Sequence, residues 1–173
     1  MANIDPNRVY EPLPQMGVGW GGGFNVVCLF ENPITIMQAS DLMNGVLKIL
    51  KAGNFCLTTQ RPNGSMRKYG VLRFLPNLPG GYDGTAVQSS FLMPGVDIFE
   101  KLALCRWFGN TPEQLAFTIR DAAHEICHAI GLGHSNLPNN LMLPTSGATW
   151  TDITSEQYTQ IATGFDMALA ATK

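Results

Sequence analysis

All three histidines of this 173-residue chain fall within eleven residues, as His124, His128 and His134. Their spacing constrains the fold more than any other feature. On a helix, residues four apart lie one turn apart and ~40° round the axis, so the rings of His124 and His128 can converge on one point. His134 joins them only if the helix ends and the chain turns back within a few residues. Gly131 stands where that reversal is needed, and glycine takes the positive φ that ends a helix sharply. The segment before the histidines reads as that helix. Thr111-Pro112-Glu113-Gln114 combines an N-cap, a proline at the first position and a capping box, and Leu115, Ile119, Ala122, Ile126 and Ile130 recur on one face, giving a helix over 112–130.

Glu125 is one step round from His124. It does not readily bind the same ion, but it can lie beside a water held there. His124-Glu125-Ile126-Cys127-His128 is the H-E-x-x-H arrangement of zinc hydrolases, and His134 extends it to H-E-x-x-H-x-x-G-x-x-H. At this composition the five fixed residues coincide by chance on the order of 10⁻⁸ per start position. Three neutral imidazoles plus water make an open, catalytic zinc site rather than a closed structural one. Cys127 points to the other flank of the helix and reads as core.

Composition narrows the alternatives. With 11 Lys+Arg against 13 Asp+Glu the net charge is −2, which offers no basic surface for nucleic acid. Mean hydropathy is +0.04, and no apolar run approaches the ~18 residues of a membrane span. Met1 to Pro6 lacks the basic and apolar regions of a signal peptide. Cys28, Cys56, Cys105 and Cys127 form no C-x-x-C pair. They read as small buried hydrophobes, with their disulfide state left open.

The chain reads as one domain, 1–173, with an extended Pro/Gly-rich arm over 1–23. Phe24–Phe30 is a buried strand. Asn32-Pro33 starts a helix that shows Ile36, Ala39, Met43, Val46, Leu47 and Leu50 on one face and stops at Gly53. Strands follow at Phe55–Thr59 and Tyr69–Leu75, making a βαβ unit. Arg61, Arg67, Lys68 and Arg73 read as a solvated basic edge. Thr85–Leu92, polar in part, belongs at a sheet edge. Ile98–Trp107 is the last strand, and a terminal helix starts after Thr154 with Gln157 completing a capping box.

The extended histidine motif resembles the metzincin clan of zinc endopeptidases. Within the clan, Ser135 after the third histidine, Met142 eight residues beyond His134 and Pro144 after it look most like the matrixins. Trp20, Thr85–Leu92 followed by Met93-Pro94-Gly95, and Ile153-Thr154-Ser155-Glu156 are similar in layout. The resemblance implies an α/β fold: a twisted, five-stranded, mostly parallel sheet with one antiparallel edge strand, a backing helix, an active-site helix and a C-terminal helix. It implies a Met-turn at Met142, a pocket wall to which Trp150 and Tyr158 are candidates, and secretion. The family's second, structural zinc would have no histidine left to hold it. Calcium is unsupported, since only Asp83, Asp97 and Glu100 offer carboxylates in the 76–100 loop.

The expected function is therefore zinc-dependent endopeptidase, acting as a monomer on a protein or peptide bound extended along 85–92. His124, His128 and His134 hold one Zn²⁺, Glu125 is the general base, and Gly131 and Met142 support the site. The alternatives are a catalytically weak zinc-binding protein of the same fold, or an amidase acting on cell-wall or other non-protein amides.

Overall fold

The computed structural model describes residues 23–59, 69–86 and 99–171, without the side chains of 99–102. Among these residues five strands form one sheet in the order β2-β1-β3-β5-β4. They are β1 (Phe24–Phe30), β2 (Phe55–Thr58), β3 (Gly70–Leu75), β4 (Gly84–Ala86) and β5 (Phe99–Arg106). β1 runs parallel to β2 and β3, and β3 parallel to β5. β4 alone is antiparallel, with Gly84 opposite Cys105 and Ala86 opposite Ala103. The mostly parallel sheet with one antiparallel edge strand is as the sequence implies. β1 and β3 are interior and buried on both faces, so their residues are mostly apolar without alternation, with Asn25 and Arg73 buried among them.

Among the described residues there are three α-helices: α1 (Ile36–Leu50), α2 (Pro112–Ala129) and α3 (Ser155–Ala170). The sheet residues divide by the strand period of two. Val26, Cys28, Leu72 and Phe74 join the large core that contains residues of all three helices. Val27, Leu29, Val71 and Leu75 form a smaller cluster with Tyr69 and Leu78. Phe55 of β2 stacks on Phe165 of α3 with ring centroids 4.1 Å apart. Gly45 of α1 lets α2 approach closely, since a Cβ there would lie 2.6 Å from the Ile119 side chain.

Each helix opens with a threonine hydroxyl accepting from the N3 backbone and an N3 glutamine reaching back: Thr35 with Gln38, Thr111 with Gln114, Thr154 with Gln157. For α2 and α3 these are the expected caps. For α1 the start moves from Asn32-Pro33 to Thr35, because the reciprocal Thr35–Gln38 pair satisfies two donors. Ile36 thus falls at the first helical position and is 53% exposed, and Leu42 takes its place on the buried face. The helix ends on Lys51 in the left-handed region at φ 52, two residues before Gly53.

The basic edge also needs correction. Arg73 is buried, because β3 lies between β1 and β5. Arg61, Arg67 and Lys68 lie outside the described residues, as do the arm over 1–22 and residues 87–92 of the expected edge strand. Cys28, Cys105 and Cys127 are buried and Cys56 is half-buried, and all four thiols are free. Among the described residues no helix is long and apolar enough to cross a membrane.

Candidate metal centre

α2 is the most buried helix, with Thr118, Asp121, His124 and Glu125 enclosed along with its apolar residues. Its C-terminus closes in a Schellman turn. Leu132 N–H donates to the Cys127 carbonyl at 2.9 Å, and Gly131 N–H to the His128 carbonyl at 3.0 Å. Gly131 takes φ 106, the positive value expected of it. The turn brings His134 back to the helix. Ring centroids are 4.5 Å apart for His124–His128, 4.7 Å for His128–His134 and 5.5 Å for His124–His134. One ligand nitrogen from each ring lies within 4.8 Å of the other two, an arrangement able to hold a metal ion.

Two rings are fixed by backbone carbonyls. The Nδ1–H of His124 donates to Leu141 O at 2.7 Å, and that of His128 to Leu132 O at 2.7 Å. A carbonyl only accepts, so each bond selects the tautomer that leaves Nε2 with its lone pair. Burial, only partly offset by this hydrogen bond, lowers the His124 pKa to about 3, and burial lowers that of His128 as well. Both rings are thereby held neutral, the form that binds metal. His134 is exposed.

Glu125 is buried, and desolvation, reinforced by Asp121, pushes its carboxyl up to about 8. It lies against the start of the edge strand: a Cβ on Gly84 would be 2.5 Å from Glu125 Oε1. The histidines and Glu125 share a cleft of about 620 Å³ with residues 81–86 and with Arg120, Asp121, Pro144, Thr145 and Ser146. Ser146 Oγ donates to Asp83 Oδ2 at 2.8 Å, joining the lead-in to β4 to the segment after Met142. Asp83 also meets Arg106 at 3.4 Å, and among the carboxylates considered for calcium it is the one whose side chain is described.

Met142 is buried, and its carbonyl accepts from Ser135 N–H at 2.9 Å, next to His134. Asn140 Oδ1 accepts from Met142 N–H, and the Asn140 and Gln157 amides exchange hydrogen bonds of 2.8 and 3.1 Å, tying this segment to α3. Neither aromatic candidate lines the cleft. The Trp150 ring packs on Gly147, and the Tyr158 hydroxyl donates to Lys51 O at 2.9 Å, bracing α3 against the end of α1.

Sequence reasoning missed Arg120, Asp121, Gly84 and Ser146. For Arg120 a signal existed: it precedes His124 by four residues and shares its helix stripe. For Gly84 and Ser146 none existed, because their roles depend on contacts across the cleft.

No family model and no curated protein matches the chain. Solved structures do. An archaemetzincin from Methanopyrus kandleri superposes with a TM-score of 0.57 at 16% identity, covering 84% of this chain and 97% of that one. A zinc-dependent peptidase from Methanocorpusculum labreanum gives 0.51 at 12% identity, over 80% and 100% of the two chains. The archaemetzincin of Archaeoglobus fulgidus gives 0.50 at 16% identity, over 79% and 99%. At these identities the likeness establishes the fold, and the fold is that of metzincin-type peptidases.

Proposed function

We propose that this protein is a zinc-dependent metallopeptidase that cuts peptide bonds within an extended substrate, the whole chain serving as one catalytic domain. One observation carries the reading: three imidazoles with their ligand nitrogens gathered within 4.8 Å, beside a buried glutamate. The names of the fold relatives, archaemetzincins and a zinc-dependent peptidase, support it. Within the clan, Ser135 and the Met142 spacing favour a matrixin-like subtype, with Met142 as the Met-turn residue.

His124, His128 and His134 hold the ion, and a donor set of three imidazoles leaves a position open. When bound, zinc supplies a Lewis acid and makes water a nucleophile near neutral pH. Glu125 accepts the proton as water attacks the peptide carbonyl and delivers it to the leaving amine. The carboxyl that burial holds near 8 returns toward its ionised form once a cation sits at the histidines. The substrate adds as a strand to β4, which ends the sheet order and lines the cleft.

Purified protein should carry one zinc per chain and cleave casein or a fluorogenic peptide library, with activity lost to a chelator and restored by zinc. Glu125→Gln should keep its zinc and lose ~10²–10⁴-fold in turnover. Protein that binds no zinc, or a variant that keeps its turnover, would overturn the reading.

A further inference from the structure

We propose that Arg120 is a positioning residue for the metal centre, clamping the segment whose backbone holds His124 and His134 in place; this rests on the metallopeptidase reading above. Arg120, His124 and His128 stand four residues apart on one stripe of α2. Arg120 is 2% exposed, and its Nη2 donates to Leu141 O at 2.8 Å and to Leu143 O at 2.7 Å. That nitrogen has two hydrogens at a fixed angle, one for each carbonyl.

The clamped carbonyls bracket the contacts that matter. Leu141 O also accepts the Nδ1–H of His124. The carbonyl between them, on Met142, accepts Ser135 N–H, one residue from His134. Three successive carbonyls are thus engaged by Arg120 and His124, by the neighbour of His134, and by Arg120 again. A shift of this segment would move two of the three histidines together.

A buried guanidinium is costly unless paired, and an apolar side chain of similar volume often serves stability as well or better. Here the charge is balanced by Asp121, whose Oδ1 is 3.5 Å from Arg120 Nη1 and whose side chain is also buried. Stability alone is therefore a weak reason for this pair, whereas two fixed donors aimed at alternate carbonyls are what the segment needs.

The test compares the intact wild type with Arg120→Met and Arg120→Lys. Zinc affinity is measured against a competing chromogenic chelator, and cobalt(II)-loaded protein is examined by visible absorption. Thermal unfolding of the metal-free forms runs alongside. Arg120→Met, which keeps bulk but no donor, should lose ~10–100-fold in zinc affinity and alter the cobalt bands, as loss of an outer partner of a metal ligand does. Arg120→Lys should fall between, having donors without the fixed fork. A purely structural role would lower the unfolding temperature while zinc affinity and cobalt spectrum stay at wild-type values, and that result overturns the proposal. Should Arg120→Met fail to fold, Arg120→Lys and Arg120→Gln decide: wild-type affinity in both overturns it. A wild type that binds no zinc would instead remove the metallopeptidase reading itself.

Discussion

Gly84 is where the edge strand meets Glu125. With a Cβ 2.5 Å from Glu125 Oε1 and 2.6 Å from its Cγ, alanine cannot be accommodated unless the Glu125 side chain swings aside. Gly84→Ala should therefore fold and bind zinc normally while displacing Glu125. A misplacement of ~1 Å can cost 10²-fold, so turnover should fall by about that factor at unchanged zinc content. Steady-state kinetics beside metal analysis separates this from a folding defect; full activity would show that Glu125 does not work from this position. The histidines were legible at this scale because helix geometry is local. Gly84 was not, since the strand carrying it comes from 41 residues earlier in the chain.

The decisive feature of α2, as an element, is how it ends. Its Schellman turn places Leu132 so that the N–H bonds back to Cys127 while the carbonyl fixes His128. Nothing lies within 4 Å of a Cβ built on Gly131, so substitution there meets backbone strain rather than a clash. At positive φ that strain is roughly 1–2 kcal/mol, more for a β-branched residue. Gly131→Val should displace His134, and with it zinc affinity and activity should fall together and recover in part with excess zinc. Unchanged zinc affinity, read by chelator competition, would detach His134 from this turn. The helix starts were also written locally, as Thr-x-x-Gln in all three cases. Only α1 was misplaced, because Asn32-Pro33 offers a competing start three residues earlier.

For the whole molecule the cysteines give an independent check on the packing. Burial pushes the Cys28 thiol up to about 12 and raises Cys105 and Cys127 as well, whereas Cys56 lies half-buried on β2, at the end of the sheet order. Thiolate is the reactive form. Native protein should thus react with Ellman's reagent at Cys56 at most, and denatured protein at all four thiols. Fast reaction of three or more native thiols would contradict the packing of β1, β5 and α2. The sequence left the disulfide question open, because pairing depends on distances between strands far apart in the chain.

The sequence by itself determined helix α2, its glycine-ended turn and the three clustered histidines, along with most of the strands. These follow from residue spacing acting over one or two helical turns, from capping pairs three residues apart, and from β-rich apolar runs. Tertiary structure decided what surrounds them: the burial of Arg73 within the sheet, the Arg120 clamp on Leu141 and Leu143, the close approach of Gly84 to Glu125, and the bracing of Tyr158 against Lys51. Each of these joins residues between 21 and 107 positions apart or depends on neighbouring strands. Local spacing carries no information about such pairs, because they meet only when burial of the shared core brings their elements together.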